Sequence, residues 1–224
     1  MNNESVKNLI IRHQALAQTA LTIFNRLPLN NSLSGAKAET GLSYLKGCKI
    51  QNHGKNNIIR IGDFSRLIHC TIQIYGNDNV ISIGDYCTCN EAVFWLEDNC
   101  SRIQIGDHTR LSGSIQLSAI EGTEIRIGND CLFSSDIDIR NGDSHSLVRN
   151  GTRERINPSE PVVIGDHVWV GKGVTILKGT IVPDNCVVGA ASLLCKPYKT
   201  ANCVLAGVPA KEVKQDINWL NERI

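Results

Sequence analysis

The chain has 224 residues, a formal net charge of +1, 5% aromatic residues and 19 glycines. That length bounds one sizeable domain with small appendages, and the near-zero charge gives no electrostatic basis for a nucleic-acid or acidic-membrane partner. Few aromatics beside abundant Ile, Val and Leu suit a thin β-solenoid core better than a helical bundle, and no apolar run reaches membrane-spanning length.

The N-terminus lacks the charged start and apolar stretch of a secretory signal. Val6, Leu9, Ile10, His13, Leu16, Ala17, Ala20, Phe24 and Leu27 recur at helical spacing, and Pro28 stops the run. Residues 1–38 therefore read as a helix followed by a polar linker, Asn30 to Lys37. A solenoid is expected over 39–210, starting near Leu42.

Five pentamers carry the repeat: Ile59-Arg-Ile-Gly-Asp63, Ile81-Ser-Ile-Gly-Asp85, Ile103-Gln-Ile-Gly-Asp107, Ile125-Arg-Ile-Gly-Asn129 and Val162-Val-Ile-Gly-Asp166. The first four recur every 22 residues. The fifth follows after 37, which is 22 plus an insertion of 15. From Ile164 the period is six, through Val170, Ile176, Val182, Val188 and Leu194. Such regularity marks a solenoid. Two apolar residues flanking a polar one share one face of a strand. The following Gly permits a sharp corner, and the Asp or Asn after it bonds backbone in the turn. Three hexads make a triangular coil of 18 residues, so a 22-residue coil carries four extra at one corner. Gly76 to Asn79 and Glu121 to Glu124 have the chemistry for that short loop. Stacking predicts a ladder of Ile61, Ile83, Ile105, Ile127 and Ile164.

The period breaks at about 140–161, which contains Asp143, His145, Arg149, Arg153 and Arg155. Loops that interrupt a rigid repeat are favoured places for function. The three arginines read as an anion-binding group or a solvated loop. Beyond Pro209, residues 211–224 read as a short helix with Val213, Ile217 and Leu220 on one face. Nine cysteines, an odd count without zinc spacing, read as reduced thiols in a cytoplasmic protein, most of them small buried hydrophobes.

With these residues in view, the chain resembles the left-handed β-helix acyltransferases. Asp138-Ile-Arg-Asn-Gly-Asp-Ser-His145, Glu154-Arg-Ile-Asn-Pro158 and Val163-Ile-Gly-Asp-His-Val-Trp-Val-Gly171 are similar to capsule and O-antigen O-acetyltransferases, including those acting on polysialic acid. Val174 to Gly179 and Ala206 to Lys211 agree. The resemblance implies an all-β, left-handed parallel β-helix, and the hand comes from the resemblance alone. It implies acetyl transfer from acetyl-CoA to a sugar hydroxyl, with His145 and Trp169 catalytic. It also implies a coenzyme A site at Gly171, Lys172, Ala190, Cys195, Lys196 and Lys214. The chemistry agrees, because an alcohol needs a base and an imidazole can take its proton as attack begins. A backbone N–H or the Trp169 indole N–H would serve the developing oxyanion.

Other readings are N-acetylation of an amino sugar, a zinc protein of carbonic anhydrase type, and a non-catalytic scaffold. His108 and His167 share one phase of the coil, but Asp130 lies between them and no third His joins, so no metal is expected. A β-helix encloses only a side-chain-filled core, so a site for a long cofactor must lie between copies. A homotrimer is expected, as the resemblance also implies.

Overall fold

The computed structural model of the chain describes residues 14–26, 31–35 and 37–224. The apolar pattern from Val6 to His13, with Leu27 and Pro28, lies outside the described residues. The rest of the expected first helix is α1, Gln14–Arg26.

After α1, the described chain winds into three sheets of eight, seven and nine strands, parallel and with neighbours three strands apart in sequence except at the C-terminal end of the nine-stranded one. Each turn of chain thus contributes one strand to each wall of a triangular prism. Face A runs from Ser32–Ser34 to Leu193–Leu194, and face B from Lys37–Glu39 to Ile181–Val182. Face C begins at Tyr44–Lys46 and ends with Val204–Gly207 and Ala210–Lys214. The expected ladder is present in register, Ile61 on Ile83, then Ile105, Ile127 and Ile164, continuing to Val182. All of these side chains are buried in one apolar core.

The Gly-Asp corners work differently from the expectation. Asp85, Asp107, Asn129, Asp166 and Asp184 each accept, through Oδ1, the backbone N–H of the equivalent residue in the preceding coil, at 2.7–2.8 Å. A Cβ on Gly62 would lie 2.3 Å from Asp85 Oδ1, and the same clash recurs at Gly84 with Asp107. These glycines clear room for the next coil's carboxylate. The left-handed backbone falls two residues later, at Phe64, Tyr86, His108, Asp130 and His167, with φ between 53° and 60°.

Two boundaries also differ. The solenoid begins before Leu42, because Ser32–Ser34 and Lys37–Glu39 pair with the next coil rather than forming a linker. The C-terminal segment is not a helix. Ala210–Lys214 returns antiparallel along Val204–Gly207 and covers the last edge of face C, and the chain then runs on without regular structure. The helical spacing of Val213 and Leu220 misled, since both are exposed and the buried anchor is Trp219. Its ring stacks on His167 at 4.2 Å, and its Nε1 donates to the His167 carbonyl at 2.8 Å. At the other end, Asn25 in the last turn of α1 meets the first face-C strand, donating to Ser43 O and accepting from Leu45 N–H, both at 3.0 Å. No described helix is long and apolar enough to cross a membrane.

Candidate active site

The insertion leaves face A after Ile137–Arg140 and rejoins face B at Val162–Ile164, so it fills the A–B corner where earlier coils carry the four-residue loop. Both neighbouring coils hold its base. From the preceding coil, Glu121 Oε2 accepts the N–H and hydroxyl of Ser159 at 3.0 Å each, and Glu121 Oε1 pairs with Arg155 at 2.6 Å. From the following coil, Lys178 Nζ pairs with Asp143 Oδ2 at 2.5 Å and donates to the carbonyls of Asn157 and Pro158 at 3.2 and 3.1 Å. The ammonium of Lys178 and then the Asn157 amide hold the Asp143 carboxyl below the usual carboxylate range, and Arg155 and Ser159 do the same for Glu121.

Asn157 is buried at the centre of this network. Its Nδ2 donates to Asp143 Oδ2 at 2.8 Å and to the His145 carbonyl at 2.9 Å, while its Oδ1 accepts the Leu147 N–H at 2.6 Å. On the other side, the His145 N–H donates to the Asp143 carbonyl at 2.7 Å across Ser144, whose φ is 61°. A two-residue closure at positive φ is an uncommon, tight turn. His145 is thus held by its backbone on both sides and is itself exposed. From Leu147 to Ile156 the loop doubles back as a short arm, with Arg149 bound bidentately to Glu154 at 2.7 and 3.2 Å. Arg149 and Arg155 each pair with a carboxylate, so the three arginines do not converge as one anion site; Arg153 is exposed. The arm instead exposes Leu147, Val148 and Ile156.

The other predicted residues fall into two groups. Trp169 stands on the outer side of face C, 42% exposed, between Leu132 and Val187 in register. Gly171, Lys172 and Ala190 stack at the C–A corner. The Ala191 N–H donates to the Lys172 carbonyl at 2.8 Å, and a Cβ on Gly171 would lie 2.7 Å from Ala190 N, so backbone packs there without a side chain. Lys172 pairs with Asp136 at 3.1 Å, both exposed. Lys214 ends the return strand on face C, opposite Val204, and is exposed. Cys195 and Lys196 instead follow the last face-A strand, at the A–B corner one coil beyond Lys178, and are exposed. His145, Cys195 and Lys196 therefore share one edge of face A, while Trp169, Gly171, Lys172, Ala190 and Lys214 lie on face C or its corner with A. A strand of four residues separates those edges by on the order of 10 Å. One chain does not bring the two groups together.

The sequence assigns Asn157, Lys178 and Glu121 no part in the site, although Glu121 opens an expected corner loop and Asn157 lies in a motif of the resemblance. Coil phase was the available signal. It puts Glu121 and Lys178 on the same corner as the insertion, one coil before and one after it. Asn157 lies in the Glu154–Pro158 motif that carries the resemblance, but a buried loop amide has no periodic partner to indicate what it holds. The thiols are core residues: seven of nine are buried, and burial pushes Cys87 to about 11 and Cys131 to about 12. His108 stacks on Tyr86 at 5.0 Å, and among the described residues no three His, Cys, Asp or Glu side chains converge as a metal site.

Residues 161–196 match the bacterial transferase hexapeptide family (six repeats). Over 107 residues the chain is 40% identical to the polysialic acid O-acetyltransferase of Neisseria meningitidis, covering 48% of this chain and 50% of that one. It is 32% identical over 95 residues to the polysialic acid O-acetyltransferase of Escherichia coli O1:K1, covering 42% of this chain and 31% of that protein. The match thus spans half or less of these relatives' length. Among solved structures, the polysialic acid O-acetyltransferase OatWY superposes with a TM-score of 0.75 at 34% identity, covering 87% of this chain and 88% of that one. The polySia-specific acetyltransferase NeuO follows with a TM-score of 0.63 at 25% identity, over 78% and 83%. The shared fold is the left-handed β-helix.

Proposed function

Because the chain belongs to the hexapeptide-repeat acyltransferase family, we propose that it is an O-acetyltransferase. It moves an acetyl group from acetyl-CoA to a hydroxyl of a sugar in a capsule or O-antigen polysaccharide, with sialic acid the acceptor sugar the relatives' names favour. The observation that carries this reading is His145, presented at the one break in the repeat and fixed on both sides by hydrogen bonds.

Acetyl-CoA supplies an activated thioester. His145 takes the proton of the acceptor hydroxyl as its oxygen bonds to the acyl carbon, and returns that proton to the sulfur released when the C–S bond breaks. Trp169 borders the reacting groups, and its indole N–H is a candidate donor to the oxyanion. Gly171 and Ala190 border the pantetheine arm at the C–A corner, and the exposed Lys172, Lys196 and Lys214 supply positive charge for phosphates. A groove that draws the A–B edge from one copy and face C from the next assembles both groups. A homotrimer makes three such grooves, and the apolar side of the arm, Leu147, Val148 and Ile156, fits a neighbouring copy. The nine free thiols support a reducing compartment, the cytoplasm.

The test is thermal stabilisation by acetyl-CoA, followed by coenzyme A release with hydroxyl and amine acceptors, sialic acid oligomers among them. Stabilisation with release on hydroxyl acceptors is expected. Release only on amines, or no stabilisation by acetyl-CoA, overturns the proposal.

A further inference from the structure

Face A carries a feature that the donor site does not use. A cleft of about 220 Å³ lies at the foot of the His145 loop, lined by Trp95, Gln116, Ser118, Arg140 and Ser144 among others. Ser144 is the residue of the tight turn that precedes His145, so the cleft opens beside the candidate base. Gln116, Trp95, Ser118 and Arg140 belong to three successive face-A strands, Val93–Leu96, Ile115–Ala119 and Ile137–Arg140, with Trp95 opposite Ser118 and Ser118 opposite Arg140. Gln116, Ser118 and Ser144 supply amide and hydroxyl groups, Arg140 a guanidinium that pairs with Asp138, Glu97 a carboxylate and Ile120 an apolar side, and the one aromatic is Trp95.

Trp95 is also the end of a row. Its ring lies 4.9 Å from Tyr75, tilted by 41°, and Tyr75 stacks on His53 at 5.0 Å and 15°. His53 and Tyr75 are exposed, and Trp95 is half-buried with its Nε1 donating to Glu97 at 3.3 Å. The coil beyond Trp95 offers Ser118 in register and no aromatic, so the row stops where the cleft starts. From the strand before His53 to the strand of Arg140 is four coil steps, about 19 Å at the usual strand spacing, the length of several linked pyranose rings.

An aromatic floor ringed by hydrogen-bonding side chains has the chemistry of a sugar site. The C–H face of a pyranose packs on the ring, and its hydroxyls meet the polar walls. Resting on the reaction proposed above, we propose that this cleft is the acceptor subsite. Trp95 is the platform for the sugar that is acetylated, and Tyr75 and His53 carry the following sugars along the prism axis. The acceptor is then an extended glycan rather than a free monosaccharide, and Trp95 is a specificity-determining residue.

The experiment measures acetyl transfer and equilibrium binding for sialic acid monomer, short oligomers and polymer, with wild type, Trp95→Ala, Trp95→Tyr and Tyr75→Ala. Trp95→Ala should raise KM and weaken binding about five- to tenfold for every acceptor, the range of one good aromatic contact. Trp95→Tyr should recover most of that loss. Tyr75→Ala should weaken only the longer acceptors. Affinity for acetyl-CoA should stay at the wild-type value in all three. Wild-type KM in Trp95→Ala, or transfer that is indifferent to acceptor length, overturns the subsite while leaving the proposed reaction intact. Glycan binding that depends on Trp95 without any acetyl transfer upholds the subsite and removes the reaction.

Discussion

Asn157→Ala is the sharpest test of how the loop presents its histidine. The substitution deletes hydrogen bonds of 2.6, 2.8 and 2.9 Å to Leu147 N–H, the Asp143 carboxylate and the His145 carbonyl. At about 1 kcal/mol net for each neutral bond and somewhat more for the charged one, the loss is about 3–5 kcal/mol. The insertion lies outside the stacked coils, so that cost falls on the ordering of residues 143–159 and not on the core. Each ~1.4 kcal/mol lost there lowers the population of the competent loop tenfold. Turnover should fall roughly 10²–10³-fold, the melting temperature should move by only a few degrees, and affinity for acetyl-CoA should hold. The assays are thiol release under saturating acceptor and hydrogen exchange across the loop. Asn157→Asp keeps the acceptor for Leu147 but sets a second carboxylate against Asp143, so it should be impaired at neutral pH and partly recover in mild acid. Turnover within threefold of wild type in Asn157→Ala would refute the clamp. A large drop in melting temperature would move the effect from positioning to folding.

Two further predictions follow from charge. Reversal at Lys196 or Lys214 should weaken acetyl-CoA binding while leaving acceptor affinity unchanged, measured by titration of each ligand separately; loss of acceptor affinity alone would contradict the assignment. Asp143 and Glu121 titrate lower in the folded loop than in the unfolded chain. Their contribution is therefore full above the ordinary carboxylate value of about 4 and disappears as pH falls through the depressed folded values. Protection of the loop amides relative to their intrinsic exchange should begin to fall as pH drops below about 4, and Lys178→Met should move the midpoint upward. An unmoved midpoint would remove the Lys178–Asp143 pair from the account.

The fold was readable because the β-helix writes its register into the sequence: a 22-residue repeat in Ile-x-Ile-Gly-Asp predicts which isoleucines stack, and they do. The ends were not, since each caps the solenoid by local contacts without period. Ser32–Ser34 is short and polar, and Ala210–Lys214 is a strand because an open face-C edge lies beside it, not because of its own spacing. The position of His145 followed from the break in the repeat. Its support did not, because Asn157, Glu121 and Lys178 come from three coils and meet only in space. The corner glycines show the same limit: the reason for Gly62 is the Asp85 oxygen one coil on, which no reading of a single turn reveals.

Subunit complementation tests most directly whether the proposed base, His145, and Trp169 meet across two copies of the chain. His145→Ala alone should lower turnover by about 10²–10⁴, the usual range for a lost general base, with acetyl-CoA binding retained. Trp169→Ala should also be inactive. Mixed under subunit exchange, the two inactive proteins should regain part of the wild-type activity, because some grooves then carry both intact residues. Confirmed exchange with no recovery, or full activity in a monodisperse wild-type monomer, would contradict the account.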